Sequence, residues 1–392
     1  MGQFDQDNAV SSAIRPSRRS MLTGSAKLAG AAALAGAVPA AFGGRVVRAQ
    51  DGTPVAEGTP VGSDVTTGSP NEQMAAVLAA FAAFESPAIY EVEPRVAREL
   101  PSFFDAYAAV RAQQGEPTLE AVADVSVLLI PGPGGDIPCR VFTPEGEGPF
   151  PVLVYFHGGG WVIANIATYE NSARALANAA GCVVVSVGYR QAPENPSPAA
   201  ADDAYAALQY VIENANLVNG DSDRVAVGGE SAGGNLATVA CLLTRDQGGV
   251  LPVHQLLVYP VTTFTPDADP ETAATLNVGS LFLDAAALEW FGSYYLPDVT
   301  SPFASPLVAD LTGLPTATVV LAEIDPLRAQ GEVYAQALTD AGVDTEVTIY
   351  EGVTHEFFGM VGAIDEAADA VAAAAERLTA SFEDGGESTP TA

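Results

Sequence analysis

The sequence almost lacks lysine. Across 392 residues only Lys27 is present, and lysine and arginine together number 16 against 48 acidic residues, for a net charge of −32. A surface this acidic repels phosphate backbones and anionic headgroups, which argues against nucleic acid and lipid surfaces as partners. It suits a salty setting, where screening relieves self-repulsion, and it equally suits drift in a lysine-avoiding, Ala/Gly-rich proteome. Cysteine is scarce too: Cys139, Cys182 and Cys241 each fall in a strand-like or helix-like segment. They are too few for a disulfide framework and read as buried free thiols. With only three histidines, any chemistry that needs an imidazole has three candidates. What is plentiful is apolar residues, 48% of the chain, enough for a sizeable core.

The ends of the chain read as address and tether. Ser17-Arg18-Arg19-Ser20-Met21-Leu22 precedes an Ala/Gly/Leu stretch over 28–41, with Val47-Arg48-Ala49 as a cleavage site and Val38-Pro39-Ala40 as its competitor. Residues 1–49 thus resemble a twin-arginine export signal. The apolar stretch is too short for a membrane span, so the expectation is an exported protein, secreted or in the cell envelope, with no stable span after cleavage. Residues 50–70, with Gly-Thr-Pro-Val doubled at 52–55 and 58–61, form a linker without core-building residues. The tail 383–392 has similar composition and is expected to be disordered.

Between these ends, helix-spaced apolar positions mark 72–84 and 94–112. Strand-like runs follow at 124–130, 137–142, 151–156, 182–187, 224–228, 255–259, 317–322 and 345–350. Helical segments at 169–180, 200–215, 231–244, 327–341 and 364–381 separate the later ones. Val152-Leu153-Val154-Tyr155-Phe156 and Cys182-Val183-Val184-Val185 are apolar throughout, as strands covered on both faces are. The pattern predicts an α/β fold: a mostly parallel eight-stranded sheet, helices on both faces, and a ligand site at the strands' carboxyl ends.

Serine-based acyl transfer needs an exposed hydroxyl, a base, a group that holds the base, and N–H donors for the oxyanion. Gly229-Glu230-Ser231-Ala232-Gly233 stands between a predicted strand and a predicted helix, so Ser231 is the candidate nucleophile; its glycines avoid clashes in a tight elbow. His157-Gly158-Gly159-Gly160-Trp161 follows another strand. There Gly158 and Gly159, with the amide of Ala232, are the candidate oxyanion donors. A phosphate-cradling loop is the competing reading, disfavoured because no Walker-type or dinucleotide pattern follows. The candidate base is His355, just past the last strand and before the last helix. His157 reads as ordering its own loop, and His254 as structural. Asp325, past the seventh strand, is the candidate acid, with helix capping as its plain role and Glu323 as its rival.

Together these residues resemble the hormone-sensitive-lipase-like bacterial esterases, the α/β-hydrolase fold-3 family. The resemblance rests on His157–Trp161 and Gly229–Gly234, then on Gly188–Ala200, Asp325-Pro326-Leu327-Arg328 and Gly352–Phe357. Glu230 departs from it, since this elbow more often carries Asp, and Asn195 and Ser197 replace a common His and aromatic residue. The resemblance implies an α/β-hydrolase fold with a helical cap, formed by residues 71–118 and an insertion at about 262–302 within a catalytic domain of 119–382. It also implies hydrolysis of short- to medium-chain esters through Ser231, His355 and Asp325, with no metal and no cofactor. An amidase or deacetylase on the same residues is the alternative, and a non-catalytic ligand-binding homologue is a third reading. The expected partner is a small-molecule ester; the oligomeric state, a homodimer included, stays open.

Overall fold

The computed structural model describes residues 68–264, 283–296 and 298–386. The segment expected as an export signal (1–49), most of the expected linker (50–67), the middle of the expected cap insertion (265–282) and the end of the tail (387–392) lie outside the described residues. In chain order the described elements are α1 (Glu72–Ala82), α2 (Pro94–Ala97), α3 (Phe103–Gln114), β1 (Asp124–Gly132), β2 (Gly135–Thr143), β3 (Phe150–Phe156), α4 (Glu170–Ala180), β4 (Val183–Val187) and α5 (Ala199–Asn214). They continue with β5 (Gly220–Glu230), α6 (Ala232–Asp246), β6 (His254–Val258), α7 (Ala285–Tyr295), β7 (Thr316–Ile324), α8 (Arg328–Asp340), β8 (Thr345–Thr354) and α9 (Asp365–Gly386).

The eight strands form one sheet in the order β1-β2-β4-β3-β5-β6-β7-β8. β1, β2 and β4 pair antiparallel, and from β4 to β8 every pairing is parallel. The mostly parallel eight-stranded sheet is therefore as expected. The alternation within β3 shows why its residues are apolar throughout. Val152, Val154 and Phe156 enter a core with α5, α6 and α8, whereas Leu153 and Tyr155 enter a second core with α1, α3, α4 and α9. Each face of a strand must be dry when helices cover both sides. The three thiols are all buried, and burial pushes those of Cys139 and Cys182 up to about 12.

Two expectations change. The helix over 94–112 is broken in two: Pro101 cannot continue it, and Ser102 starts α3 with a capping box. The Ser102 hydroxyl accepts from the Asp105 amide, and the Asp105 carboxylate accepts from the Ser102 amide at 2.7 Å. The second change concerns the tail expected to be disordered from 383, because α9 continues to Gly386. Phe382 is buried, and a β-carbon at Gly385 would meet Val253 and the Asp223 carbonyl, so this last turn is packed against the domain. Among the described residues no helix is long and apolar enough to cross a membrane.

Parallel register brings the carboxyl ends of the central strands to one edge. Phe156 stands beside Gly229, and Glu230 beside Val258. The residues that follow, His157, Ser231, Tyr259, Asp325 and His355, come from five strand ends far apart in sequence.

Candidate active site

The turn after β5 is tight. The Ser231 amide donates to the Val258 carbonyl at 2.9 Å, and Asn235 donates back to the Ser231 carbonyl as α6 begins. Ser231 itself has φ 57° and ψ −117°, a left-handed conformation that only surrounding structure can hold. At Gly233 a β-carbon would run into the Phe156 carbonyl, so the closeness of β3 and α6 requires glycine there. Ser231 is buried but lines a cavity of about 520 Å³ together with His355, Gly159 and Gly160.

The candidate base and acid meet at the ends of β7 and β8. His355 Nδ1 lies 2.6 Å from Asp325 Oδ2, and both side chains are buried. A carboxylate partner at that distance assigns the proton to Nδ1 and leaves Nε2 as the acceptor. The other oxygen, Oδ1, accepts the Leu327 amide at 2.8 Å just ahead of α8, whose own N-cap residue, Leu327, has no side-chain cap bond. Burial alone would pull His355 below the ordinary histidine range. The charge and hydrogen bond of Asp325, followed by Glu356 and Glu230, outweigh it and raise the imidazole. The rival Glu323 is occupied elsewhere, accepting the Gly352 amide at 2.7 Å.

The other two histidines have different surroundings. His157 Nδ1 donates to the Gly158 carbonyl at 2.8 Å, and its ring stacks on Tyr189 at 4.3 Å. Burial brings it down to about 4, so it is neutral and braces its own loop. His254 bonds Ser381 and Thr318, and burial brings it down to about 3.

The glycine loop needs its glycines. Gly159 has φ 96°, and a β-carbon there would collide with the Ile163 carbonyl. Trp161 stacks on Tyr295 of α7 at 4.4 Å, which fastens the loop beneath that helix. Gly158, Gly159 and Ala232 are thus brought to the same strand edge as Ser231 through the pairing of β3 with β5.

Residues 71–118 do two things. Met74, Val77, Phe103 and Tyr107 belong to a core of the domain, while Leu78, Phe81, Phe103 and Phe104 line the cavity together with Leu283 and Phe291. Arg98 anchors the segment: Nε donates to the Val162 carbonyl at 2.7 Å, one terminal nitrogen donates to the Ala192 carbonyl at 2.6 Å, and the guanidinium forks onto Glu194.

Sequence reasoning missed the acidic floor of the site. Glu230 is buried; Tyr155 donates to its Oε1 at 2.6 Å, and Tyr259 donates to its Oε2. Burial, then the charge of Glu356, pushes Glu230 up to about 7, against the pull of Ser172, Tyr155 and Tyr259. Glu356, one residue past His355, also lines the cavity. The available signal was a tyrosine in the apolar strand β3 and another directly after β6, polar tips placed where only a buried acceptor could satisfy them. Among the described residues there is no group of three or more His, Cys, Asp or Glu side chains able to hold a metal ion.

Residues 153–359 match a family model described as alpha/beta hydrolase fold. The carboxylic ester hydrolase LipN of Mycobacterium tuberculosis is 43% identical over 247 residues, 60% of this chain and 65% of that protein. Esterase LipI of the same organism is 36% identical over 304 residues, 73% of this chain and 93% of its own length. Among solved structures, an esterase of Pyrobaculum calidifontis superposes with a TM-score of 0.70 at 35% identity, covering 79% of this chain and 98% of its own.

Proposed function

The chain belongs to the α/β-hydrolase fold-3 family of carboxylic-ester hydrolases, and from that premise we propose that it is an exported serine esterase working through Ser231, His355 and Asp325. The observation that carries the reading is the His355–Asp325 hydrogen bond of 2.6 Å, whose imidazole borders the same cavity as Ser231. Ser231 Oγ attacks the ester carbonyl as its proton passes to His355 Nε2. The oxyanion is met by the amides of Gly158, Gly159 and Ala232. Asp325 stabilises the imidazolium, which then protonates the departing alcohol as the C–O bond breaks. Water, deprotonated by His355, attacks the acyl-enzyme; the proton returns to Ser231 and the acid is released.

The substrate is a small ester with a short to medium acyl chain. A cavity of about 520 Å³ walled by Leu78, Phe81, Phe103, Leu283 and Phe291 supports an apolar acyl group. Export through Arg18 and Arg19 belongs to the same reading, on the strength of the signal-like sequence before residue 50.

The test is Ser231→Ala with p-nitrophenyl esters from acetate to laurate. Turnover should vanish while thermal unfolding is kept, and the wild type should favour the shorter acyl chains. Wild-type turnover in a folded variant would overturn the assignment. Rates on matched ester and amide substrates decide between this reading and an amidase or deacetylase.

A further inference from the structure

His355 has a carboxylate on each side. Asp325 Oδ2 holds Nδ1 at 2.6 Å, and Glu356 Oε1 lies 3.9 Å from Nε2, the nitrogen that the proposed mechanism uses. The Glu356 side chain is held in that place. Tyr169 donates its hydroxyl to the same Oε1 at 2.7 Å, and the Tyr169 hydroxyl is itself lodged against the glycine loop, where a β-carbon on Gly158 would strike it. The backbone at Glu356 has φ 75° and ψ 1°, a left-handed conformation that glycine adopts more readily. Strained backbone beside a reacting group persists when the surroundings over-determine it, and it concentrates at functional sites.

We propose that Glu356 is a positioning residue for ester hydrolysis, a second carboxylate that acts through His355 by stabilising its imidazolium from the Nε2 side. The inference rests on the reading of Ser231 and His355 given above. As Ser231 Oγ–H breaks and Nε2–H forms, the imidazole gains a positive charge between two carboxylates. That charge is lost when the proton passes to the alcohol oxygen and the C–O bond breaks. Glu356 neither gains nor loses a proton in either step.

The groups facing this pair come from every adjoining strand end. Tyr155 comes from β3, Tyr169 and Ser172 from the start of α4, Glu230 from β5, Tyr259 from the end of β6 and Asp325 from the end of β7. Of the two glutamates, Glu230 has tyrosine hydroxyls on both oxygens and is the more remote from Nε2. Burial, and to the smallest extent Asp325, raises Glu356 overall against the pull of His355 and the Tyr169 hydroxyl, and its Oε1 stands 3.9 Å from Nε2. The carboxylate beside the developing cation is therefore Glu356.

Glu356→Gln keeps the side-chain length and an acceptor for Tyr169 while removing the charge. In a profile of kcat/KM against pH on p-nitrophenyl acetate, the midpoint of the acid limb should fall by about one unit, the effect of one lost charge at this distance. The plateau should fall roughly tenfold, the equivalent of that unit. A packing role alone would lower the plateau and leave the limb where it was. Should Glu356→Gln not fold, Glu356→Gly removes the same charge from a backbone that suits glycine. A folded neutral variant with the wild-type limb overturns the proposal. If the wild type still reacts with a fluorophosphonate at Ser231 in that case, only the role of Glu356 is lost. A wild type that does not react overturns both.

Discussion

Asp325 holds His355 with one carboxylate oxygen and the start of α8 with the other: Oδ2 is 2.6 Å from His355 Nδ1, and Oδ1 accepts the Leu327 amide at 2.8 Å. The acid that orients the imidazole is thus itself fixed by the backbone that follows it.

Asp325→Asn should keep the fold and lose activity. An amide can accept the Leu327 N–H through its oxygen, but its NH₂ then faces Nδ1 and forces the proton onto Nε2. That tautomer cannot take a proton from Ser231. We expect kcat to fall by roughly three to four orders of magnitude, with thermal unfolding close to wild type. A loss of less than tenfold would contradict this role.

Gly233→Ala tests how closely β3 and α6 approach. The added methyl has no room beside the Phe156 carbonyl, so the turn carrying Ser231 must move. Stability should drop by about 1–3 kcal/mol in denaturant unfolding, with activity lost in the fraction still folded. An unchanged midpoint would contradict so close an approach of β3 and α6.

Glu230 gives a pH dependence of stability with a definite sign. Burial, and then Glu356, raises its carboxyl from 4.5 to about 7. The folded chain keeps a proton that the unfolded chain releases, so this contribution is full below about pH 4.5 and lost as pH rises through about 7. Glu230→Gln imitates the protonated form. Its stability relative to wild type should increase from about pH 5 to about pH 8, by on the order of 2–3 kcal/mol. A difference that stays constant across that range would refute the assignment.

Arg98→Ala should loosen the N-terminal wall of the cavity. The Glu194 partner is more than half exposed and contributes little. The bonds to the Val162 and Ala192 carbonyls are the larger loss, about 2 kcal/mol together. Because the chemistry is left in place, KM for a medium-chain ester should rise more than kcat falls. A reduced kcat with unchanged KM would point to a different function for this clamp.

Export is tested separately. Changing Arg18 and Arg19 to Lys should retain the protein in the cytoplasm, measured by fractionation and esterase assay, and undiminished secretion would contradict the twin-arginine reading.

The eight strands were legible because each is a short run whose apolar character is set by its own residues. The strand–turn–helix setting of Ser231 was legible for the same reason, as glycines close in sequence report a tight turn wherever the chain ends up. The break at Pro101 and Ser102 was also present in the sequence, but helix-spaced apolar residues on either side concealed it. The continuation of α9 past Phe382 was not legible. It depends on packing against Val253 and the Asp223 carbonyl, more than a hundred residues earlier.

The sequence by itself determined the sheet, its crossover helices and a histidine beyond the last strand, since local pattern and scarcity suffice for those. Only the tertiary structure decided that Asp325, rather than Glu323, reaches His355, that Glu230 is a buried acid held by two tyrosines, and that Glu356 stands near Nε2. Proton affinities and cavity walls depend on which distant groups exclude water from one another, and no stretch of chain carries that information alone.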